Sequence, residues 1–137
     1  MLHKKTQFMI CSVSQSNESV ETNVYNTATF KQWLDYSNIS YKLVDGVYNG
    51  DSEDSFLIAL PNDFAARENL LILICGWLVT YNQECYLYSD SHGYCSLHNV
   101  GGVMIERLGQ YQVTSKKPVE SMAYTYLGNN QYMIAGV

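Results

Sequence analysis

Apolar and polar residues alternate with two different periods along the first two-thirds of the chain. Apolar and β-branched runs bounded by turn residues are typical of strands, whereas apolar residues that recur every three or four positions are typical of amphipathic helices. Polar residues at 15–19 and Pro-Asn-Asp at 61–63 are typical helix starts. The predicted strands are 8–14, 40–48, 53–60 and 85–89, and the predicted helices are 20–37 and 64–81.

The last third of the chain predicts only short strands separated by glycine-containing turns. These strands are 94–98, 103–108, 111–115, 121–127 and 131–135. Asn49-Gly50 and the Gly-Asn-Asn at 128–130 are strong hairpin signals. We therefore expect one domain over residues 1–137, of the α+β class. Its predicted architecture is a ferredoxin-like βαββαβ sandwich with an antiparallel sheet and two helices, plus a β-rich C-terminal extension.

One glycine interrupts the second predicted helix. Gly76 weakens the helix by about 1 kcal/mol relative to alanine. We expect a close approach between helix and sheet as its reason.

Charge and composition exclude several classes of partner. The net charge is −5, and the basic residues form no stripe, so we expect no nucleic-acid partner. The longest apolar run, at 70–79, is too short to span a bilayer, so we expect no membrane association. The N-terminus lacks a signal-peptide pattern, which predicts a cytoplasmic protein with reduced cysteines.

The familiar nucleotide and metal motifs are missing from the sequence. It contains no Walker A run, no G-x-G-x-x-G and no C-x-x-C pair. His92 and His98 flank Cys95 in a predicted hairpin, but no carboxylate is obviously placed to join them. We therefore predict no metal site, and the same three residues are weak support for a Cys-His nucleophile.

Glu53 is the best single candidate for chemistry. It stands at the start of an apolar strand, where desolvation would change its protonation and where its charge can be directed into a cleft. The alternative is a solvated turn carboxylate beside Asp51 and Asp54, and the residues alone leave both interpretations open.

Several short motifs, in order over most of the chain, resemble the phage-encoded S-adenosylmethionine lyases, which are also called S-adenosylmethionine hydrolases. The more specific ones are Glu53 separated by one residue from Ser-Phe-Leu-Ile at 55–58, and Gln83-Glu84 directly before the fourth strand. The others are Ser16-Asn17, Tyr48, Glu-Arg-Leu-Gly at 106–109 and Tyr-Gln-Val at 111–113.

This resemblance implies a ferredoxin-like fold, a homotrimer and ligand sites between neighbouring subunits. It implies a catalytic role for Glu53. It also implies substrate binding by the residues Gln83, Glu84, Tyr48, Ser16 and Asn17.

The implied reaction is cleavage of S-adenosylmethionine to 5′-methylthioadenosine and homoserine lactone. The substrate carries its own nucleophile, a carboxylate, and its own leaving group, a sulfonium, so neither cofactor nor metal is expected. Our hypothesis is that Glu53 holds the cationic end of the substrate and orients the carboxylate, and does not activate water. The implied setting is the cytoplasm of an infected or lysogenic bacterial host. Depletion of S-adenosylmethionine there would act as antirestriction.

Two other functions remain open from the sequence. One is a non-catalytic phage protein that binds a host defence protein through an acidic, Tyr-rich face, although 13 acidic residues against 8 basic ones is a mild excess. The other is a protein that binds S-adenosylmethionine without turning it over. Fold alone does not distinguish these functions.

Overall fold

A computed structural model describes residues 6–48, 50–119 and 122–135 of the chain. Two helices and nine strands follow one another along it. Their bounds are β1 Phe8–Cys11, α1 Val20–Tyr36, β2 Tyr41–Tyr48, β3 Asp51–Ala59, α2 Phe64–Thr80, β4 Cys85–Ser89, β5 Tyr94–Asn99, β6 Met104–Gln110, β7 Gln112–Thr114, β8 Tyr124–Gly128 and β9 Gln131–Ile134. The prediction of an α+β fold with two helices is confirmed.

Side-chain caps determine where both helices begin. The Ser19 hydroxyl accepts a hydrogen bond from the Thr22 backbone N–H at 3.1 Å, and the Asp63 carboxylate accepts one from Ala66 at 2.9 Å. Such caps satisfy N–H groups that have no partner within the helix. The predicted helix starts are therefore confirmed.

All nine strands form one antiparallel sheet with the order β6-β5-β4-β1-β3-β2-β8-β9-β7. The central strand β1 pairs with β3 on one side and with β4 on the other. The C-terminal strands extend the sheet at both of its sides, with β5 and β6 beyond β4 and the other three beyond β2. The antiparallel sheet and the β-rich C-terminal part are thus both present.

The two edges of the sheet are joined by very little chain. Strands β6 and β7 occupy opposite edges, yet Tyr111 alone separates them in sequence. A single residue cannot cross a flat nine-stranded sheet, because strands lie about 4.8 Å apart. The sheet therefore curls until it is nearly closed, and Tyr111 packs edge-on against Phe8 with ring centroids 5.6 Å apart.

Strand alternation gives the sheet an apolar core on each face. Phe8 and Ile10 point to the inner face of the curled sheet, where they pack with residues such as Leu127. Met9 and Cys11 point to the other face, which the two helices cover. Aromatic rings dominate that helix side, because the buried Phe30 contacts the buried ring of Phe56 and the partly buried rings of Trp33 and Trp77.

Several sequence predictions differ from the structure in detail. The first strand ends at Cys11 instead of residue 14, because Ser12 turns the chain by hydrogen bonding through its side chain to Asp54 and Ser14. The third strand begins at Asp51, two residues early, because the tight hairpin already pairs Asp51 with Tyr48.

Asn49 of that hairpin and residue 121, at the predicted start of the eighth strand, lie outside the described residues. At the other predicted hairpin, Asn129 and Asn130 both adopt positive φ angles of 52° and 58°, as a type I′ turn requires.

The explanation for Gly76 is wrong. A Cβ atom placed on Gly76 would meet no atom within 4 Å, apart from the helix itself. The glycine lines an open cavity and is not pressed against the sheet. The structure also contains no helix, among the described residues, that is long and apolar enough to cross a membrane.

The aromatic cluster provides a test of how the core packs. Phe30 is fully buried, so Phe30→Ala should lower the free energy of unfolding by about 3–5 kcal/mol, since it removes a large side chain and leaves a cavity. The matched control is Tyr36→Ala on the same helix, which is 89% exposed and should change the value by less than about 0.5 kcal/mol. Urea denaturation measures both, and equal effects would contradict this packing.

Candidate functional site

The sheet brings the ends of several elements together at one side of the molecule. Because β3 and β4 both run antiparallel to β1, their N-terminal ends lie at the end of the sheet where β1 finishes. The hairpin of β2 and β3 and the start of α1 lie there as well. A cleft of about 870 Å³ opens at this point.

All six residues singled out in the sequence line this one cleft. They are Glu53, Gln83, Glu84, Tyr48, Ser16 and Asn17. Residues more than sixty positions apart in the chain therefore meet at one site, and the cleft has the size of a small-molecule pocket. Their catalytic and binding roles remain predictions.

Glu53 lies on β3 opposite Gly46 of the neighbouring strand β2. Burial raises the pKa of its carboxyl, a hydrogen bond with Ser12 lowers it, and the charge of Asp54 raises it. A Cβ atom on Gly46 would lie 3.1 Å from the Ser55 hydroxyl and 3.8 Å from the Glu53 carbonyl oxygen, so any larger residue here would crowd the Ser55 hydroxyl.

Ser12 has one hydroxyl proton and two acceptors within reach. In the structure the hydroxyl donates to the Asp54 carbonyl oxygen at 2.7 Å, whereas its effect on the pKa of Glu53 requires a hydrogen bond to the Glu53 carboxylate. One proton cannot serve both acceptors at once. A hydroxyl that donates to the ionised Glu53 carboxylate would therefore have to give up its hydrogen bond to the Asp54 carbonyl oxygen.

Gln83 and Glu84 stand between the end of α2 and the start of β4. Asn82 adopts a positive φ of 56°, and the Gln83 backbone N–H donates a hydrogen bond to the Leu78 carbonyl oxygen at 2.8 Å. These two features end the helix. The Gln83 side chain donates from Nε2 to the Ser14 carbonyl oxygen at 2.7 Å. One N–H of this amide is thus engaged within the protein, and its second N–H and its Oε1 are the groups that a ligand could use.

Tyr48, Ser16 and Asn17 form the outer part of the cleft. Tyr48 is the last residue of β2 and is 65% exposed. Ser16 and Asn17 lie in the exposed turn that precedes the cap of α1. These three side chains are free to approach a ligand from the solvent side.

Three residues that shape the cleft are not apparent from sequence patterns: Ser12, Asn23 and Gly46. Asn23 accepts a hydrogen bond from Gln15 and donates one back to it. The sequence gives only weak signals for two of them. Asn23 is a poor helix former one turn into a helix, and Gly46 is a glycine within a strand. Neither signal names its partner, because the partner lies in another element.

The charged side chains among the described residues of the cleft are all acidic. Asp51, Glu53, Asp54 and Glu84 line it, and the described lining residues include no Lys, Arg or His. Burial and the charges of Glu84 and Glu53 raise the pKa of the Cys85 thiol, so this cysteine stays neutral. The cleft is therefore suited to a cation and offers no thiolate nucleophile.

A second cavity, of about 790 Å³, lies between α2 and strands β4 and β5. It contains none of the six predicted residues. His98 lines it, stacks on Tyr86 with ring centroids 5.5 Å apart, and approaches the Ser96 hydroxyl at 2.9 Å through Nε2. Within the described parts of the chain, no group of three or more His, Cys, Asp or Glu side chains is arranged to hold a metal ion.

Removal of the Ser12 hydroxyl should change the titration of the Glu53 carboxyl. Ser12→Ala removes a hydrogen bond that favours the charged carboxylate, so the pKa of Glu53 should rise further above its ordinary value. The midpoint of the Glu53 carboxyl titration, followed by carbon-detected NMR, should move to higher pH. Ser55→Ala is the matched control, because the Ser55 hydroxyl donates to the backbone carbonyl of Glu53 at 3.2 Å and not to its carboxylate. A midpoint that stays in place in Ser12→Ala would contradict this role.

Two comparisons with known proteins bear on identity. A comparison with curated proteins gave no match. The model of the S-adenosylmethionine lyase family matches residues 9–135, which is nearly the whole chain and includes every residue of the cleft discussed above. The chain therefore belongs to the S-adenosylmethionine lyase family.

Proposed function

We propose that this protein degrades S-adenosylmethionine by intramolecular cyclisation to 5′-methylthioadenosine and homoserine lactone. The observation that carries the proposal is a cleft with four carboxylates and, among the described lining residues, no cationic side chain. S-adenosylmethionine bears a sulfonium and an ammonium against one carboxylate, so its net charge is positive. An acidic cleft attracts such a ligand.

The chemistry needs little from the protein beyond positioning. One oxygen of the substrate carboxylate attacks the methionine γ-carbon and forms the lactone ring. The bond from this carbon to sulfur breaks, and its electron pair stays on sulfur as a neutral thioether. No proton is transferred and no oxidant is consumed, so the reaction requires neither metal nor cofactor. Correct positioning of two groups in one molecule can contribute roughly 7–11 kcal/mol.

Glu53 is the proposed catalytic residue. Its carboxylate would bind the substrate ammonium and so turn the substrate carboxylate toward the γ-carbon. Glu53 is exposed in the single chain, although the atoms around its carboxyl desolvate it enough to raise its pKa. Its charge would act more strongly on the substrate if a neighbouring subunit excluded water from the cleft. A general base is not required, because the nucleophile is already ionised.

The other five residues have proposed binding roles. Gln83, through Oε1, and Glu84 would bind the ribose hydroxyls or the amino-acid part of the substrate. Tyr48 would pack near the adenine or the sulfonium, where a cation–π contact is possible. The exposed Ser16 and Asn17 would contact the ligand from the outer side of the cleft.

The fold subtype and the cellular role that the family resemblance implies are part of the same proposal. The order β4-β1-β3-β2 with two helices supports a ferredoxin-like core. The proposed setting is the cytoplasm of an infected bacterium. Loss of S-adenosylmethionine there would starve restriction and modification enzymes that depend on it.

We also propose a homotrimer in which a neighbouring subunit covers each cleft. The support is a rim of exposed apolar side chains, since Val20, Val24 and Tyr48 line the cleft and are 79%, 59% and 65% exposed.

Sedimentation equilibrium should give three chain masses for the native protein. Val24→Asp should shift the mass toward one chain, because it introduces a charge at a covered surface. Val119→Asp is the matched control, since Val119 is 63% exposed and lies away from the cleft. A native mass of one chain would contradict the trimer.

The first test of activity is product analysis. Purified protein, S-adenosylmethionine and EDTA are mixed, and early time points are analysed by mass spectrometry. We expect equal amounts of methylthioadenosine and homoserine lactone. Homoserine from the earliest time, without transient lactone, would instead indicate that water is activated. Unchanged substrate would contradict lyase activity, and calorimetry would then determine whether the protein only binds it.

Glu53→Gln tests the proposed catalytic residue. The amide keeps the shape of the side chain but loses its charge, so kcat/KM should fall roughly 10- to 100-fold, because a hydrogen bond to a charged group contributes about 1.5–3 kcal/mol. Glu68→Gln is the control, since it makes the same chemical change on α2 beside the second cavity. Full activity of Glu53→Gln would rule out the assignment.

A further inference from the structure

The segment between β1 and α1 forms one wall of the cleft without belonging to a helix or strand. Residues 12–15 have no regular secondary structure, and Ser14, Gln15, Ser16 and Asn17 all line the cleft. A wall with no ladder of backbone hydrogen bonds depends on side chains to keep its position.

Asn23 supplies two such hydrogen bonds to one residue of this wall. Its Oδ1 accepts from the Gln15 backbone N–H at 2.9 Å, and its Nδ2 donates to the Gln15 carbonyl oxygen at 2.8 Å. The amide thus binds both backbone groups of Gln15, whose carbonyl oxygen also accepts a hydrogen bond from the Glu18 backbone N–H at 3.2 Å. Its orientation is fixed by this pair of bonds, because the flipped amide would place donor against donor and acceptor against acceptor.

Ser14, the residue before Gln15 in this wall, is held by a side chain from another element. Gln83 donates to the Ser14 carbonyl oxygen at 2.7 Å. Asn23 of α1 and Gln83 before β4 therefore anchor successive residues of the wall. Gln83 is also a proposed ligand of the substrate, so a Gln83 variant would change substrate binding and the position of the wall together. The amide of Asn23 is instead engaged by the backbone of Gln15.

We propose that Asn23 is a positioning residue for the cyclisation, and this inference rests on the function proposed above. The nucleophile and the leaving group belong to one flexible chain of the substrate. Extended conformers can bind in the cleft, but only a folded conformer brings carboxylate and γ-carbon together. A wall held in place by Asn23 excludes the extended conformers, so its main effect is on kcat and not on binding.

The test compares Asn23→Ala with Asn26→Ala. Asn26 lies on the same helix, is likewise partly buried, and makes no side-chain hydrogen bond within the described residues. Asn23→Ala should lower kcat roughly 10- to 100-fold, because misplacement of reacting groups by about 1 Å can cost that much. KM should change less than about threefold, and Asn26→Ala should stay within about twofold of the native protein in both constants.

Hydrogen exchange gives a readout that does not depend on activity. The Gln15 amide, followed by NMR, should exchange on the order of tenfold faster in Asn23→Ala and at the native rate in Asn26→Ala. Should Asn23→Ala fail to fold, Asn23→Asp carries the test. It keeps the acceptor for Gln15 N–H but loses the donor to Gln15 O, so the amide should stay protected while kcat falls.

The outcomes separate this inference from the proposed function. Native kcat in Asn23→Ala, in a protein that turns over S-adenosylmethionine, would overturn the inference alone, and so would a rise in KM with kcat unchanged. A native protein without turnover would overturn the proposed function and the catalytic role of Asn23 together. Exchange of the Gln15 amide would still show whether Asn23 holds the wall.

Discussion

The pairing of β1 with both β3 and β4 fixes the positions of the other elements. It brings the N-terminal ends of two strands that are distant in sequence to the end of the sheet where β1 finishes. It also divides the apolar side chains of β1 between the inner core and the helix-side core. One central strand thus sets both the packing of the domain and the location of the cleft.

Near-closure of the sheet adds contacts that support this arrangement. The single residue between β6 and β7 links the two edges, and Tyr111 packs on Phe8 of the central strand. An open sheet with free edges could flex and could pair with other chains. A curled sheet under two packed helices provides a fixed base, from which the less regular residues 12–17 can be held by side chains.

The cleft joins two properties that suit the chemistry of its family. Its carboxylates favour a cationic substrate, and the lack of a cationic side chain among its described lining residues leaves the substrate carboxylate free to react. In the proposed reaction, the positive charge on sulfur would disappear as the lactone forms, so the neutral thioether product would lose its attraction to the cleft. On this proposal, substrate binding and product release would depend on the same carboxylates.

Local sequence patterns were enough to predict most of the helices and strands, because apolar periodicity, caps and turn residues act over a few neighbouring positions. These patterns located both helices, the Asn129-Asn130 turn and the candidate residue Glu53, and the short motifs led to the family. The folded structure was needed to show that β1 lies between β3 and β4, that the sheet nearly closes, and that Asn23 holds Gln15. Those outcomes depend on contacts between residues far apart in the chain, which local patterns do not specify.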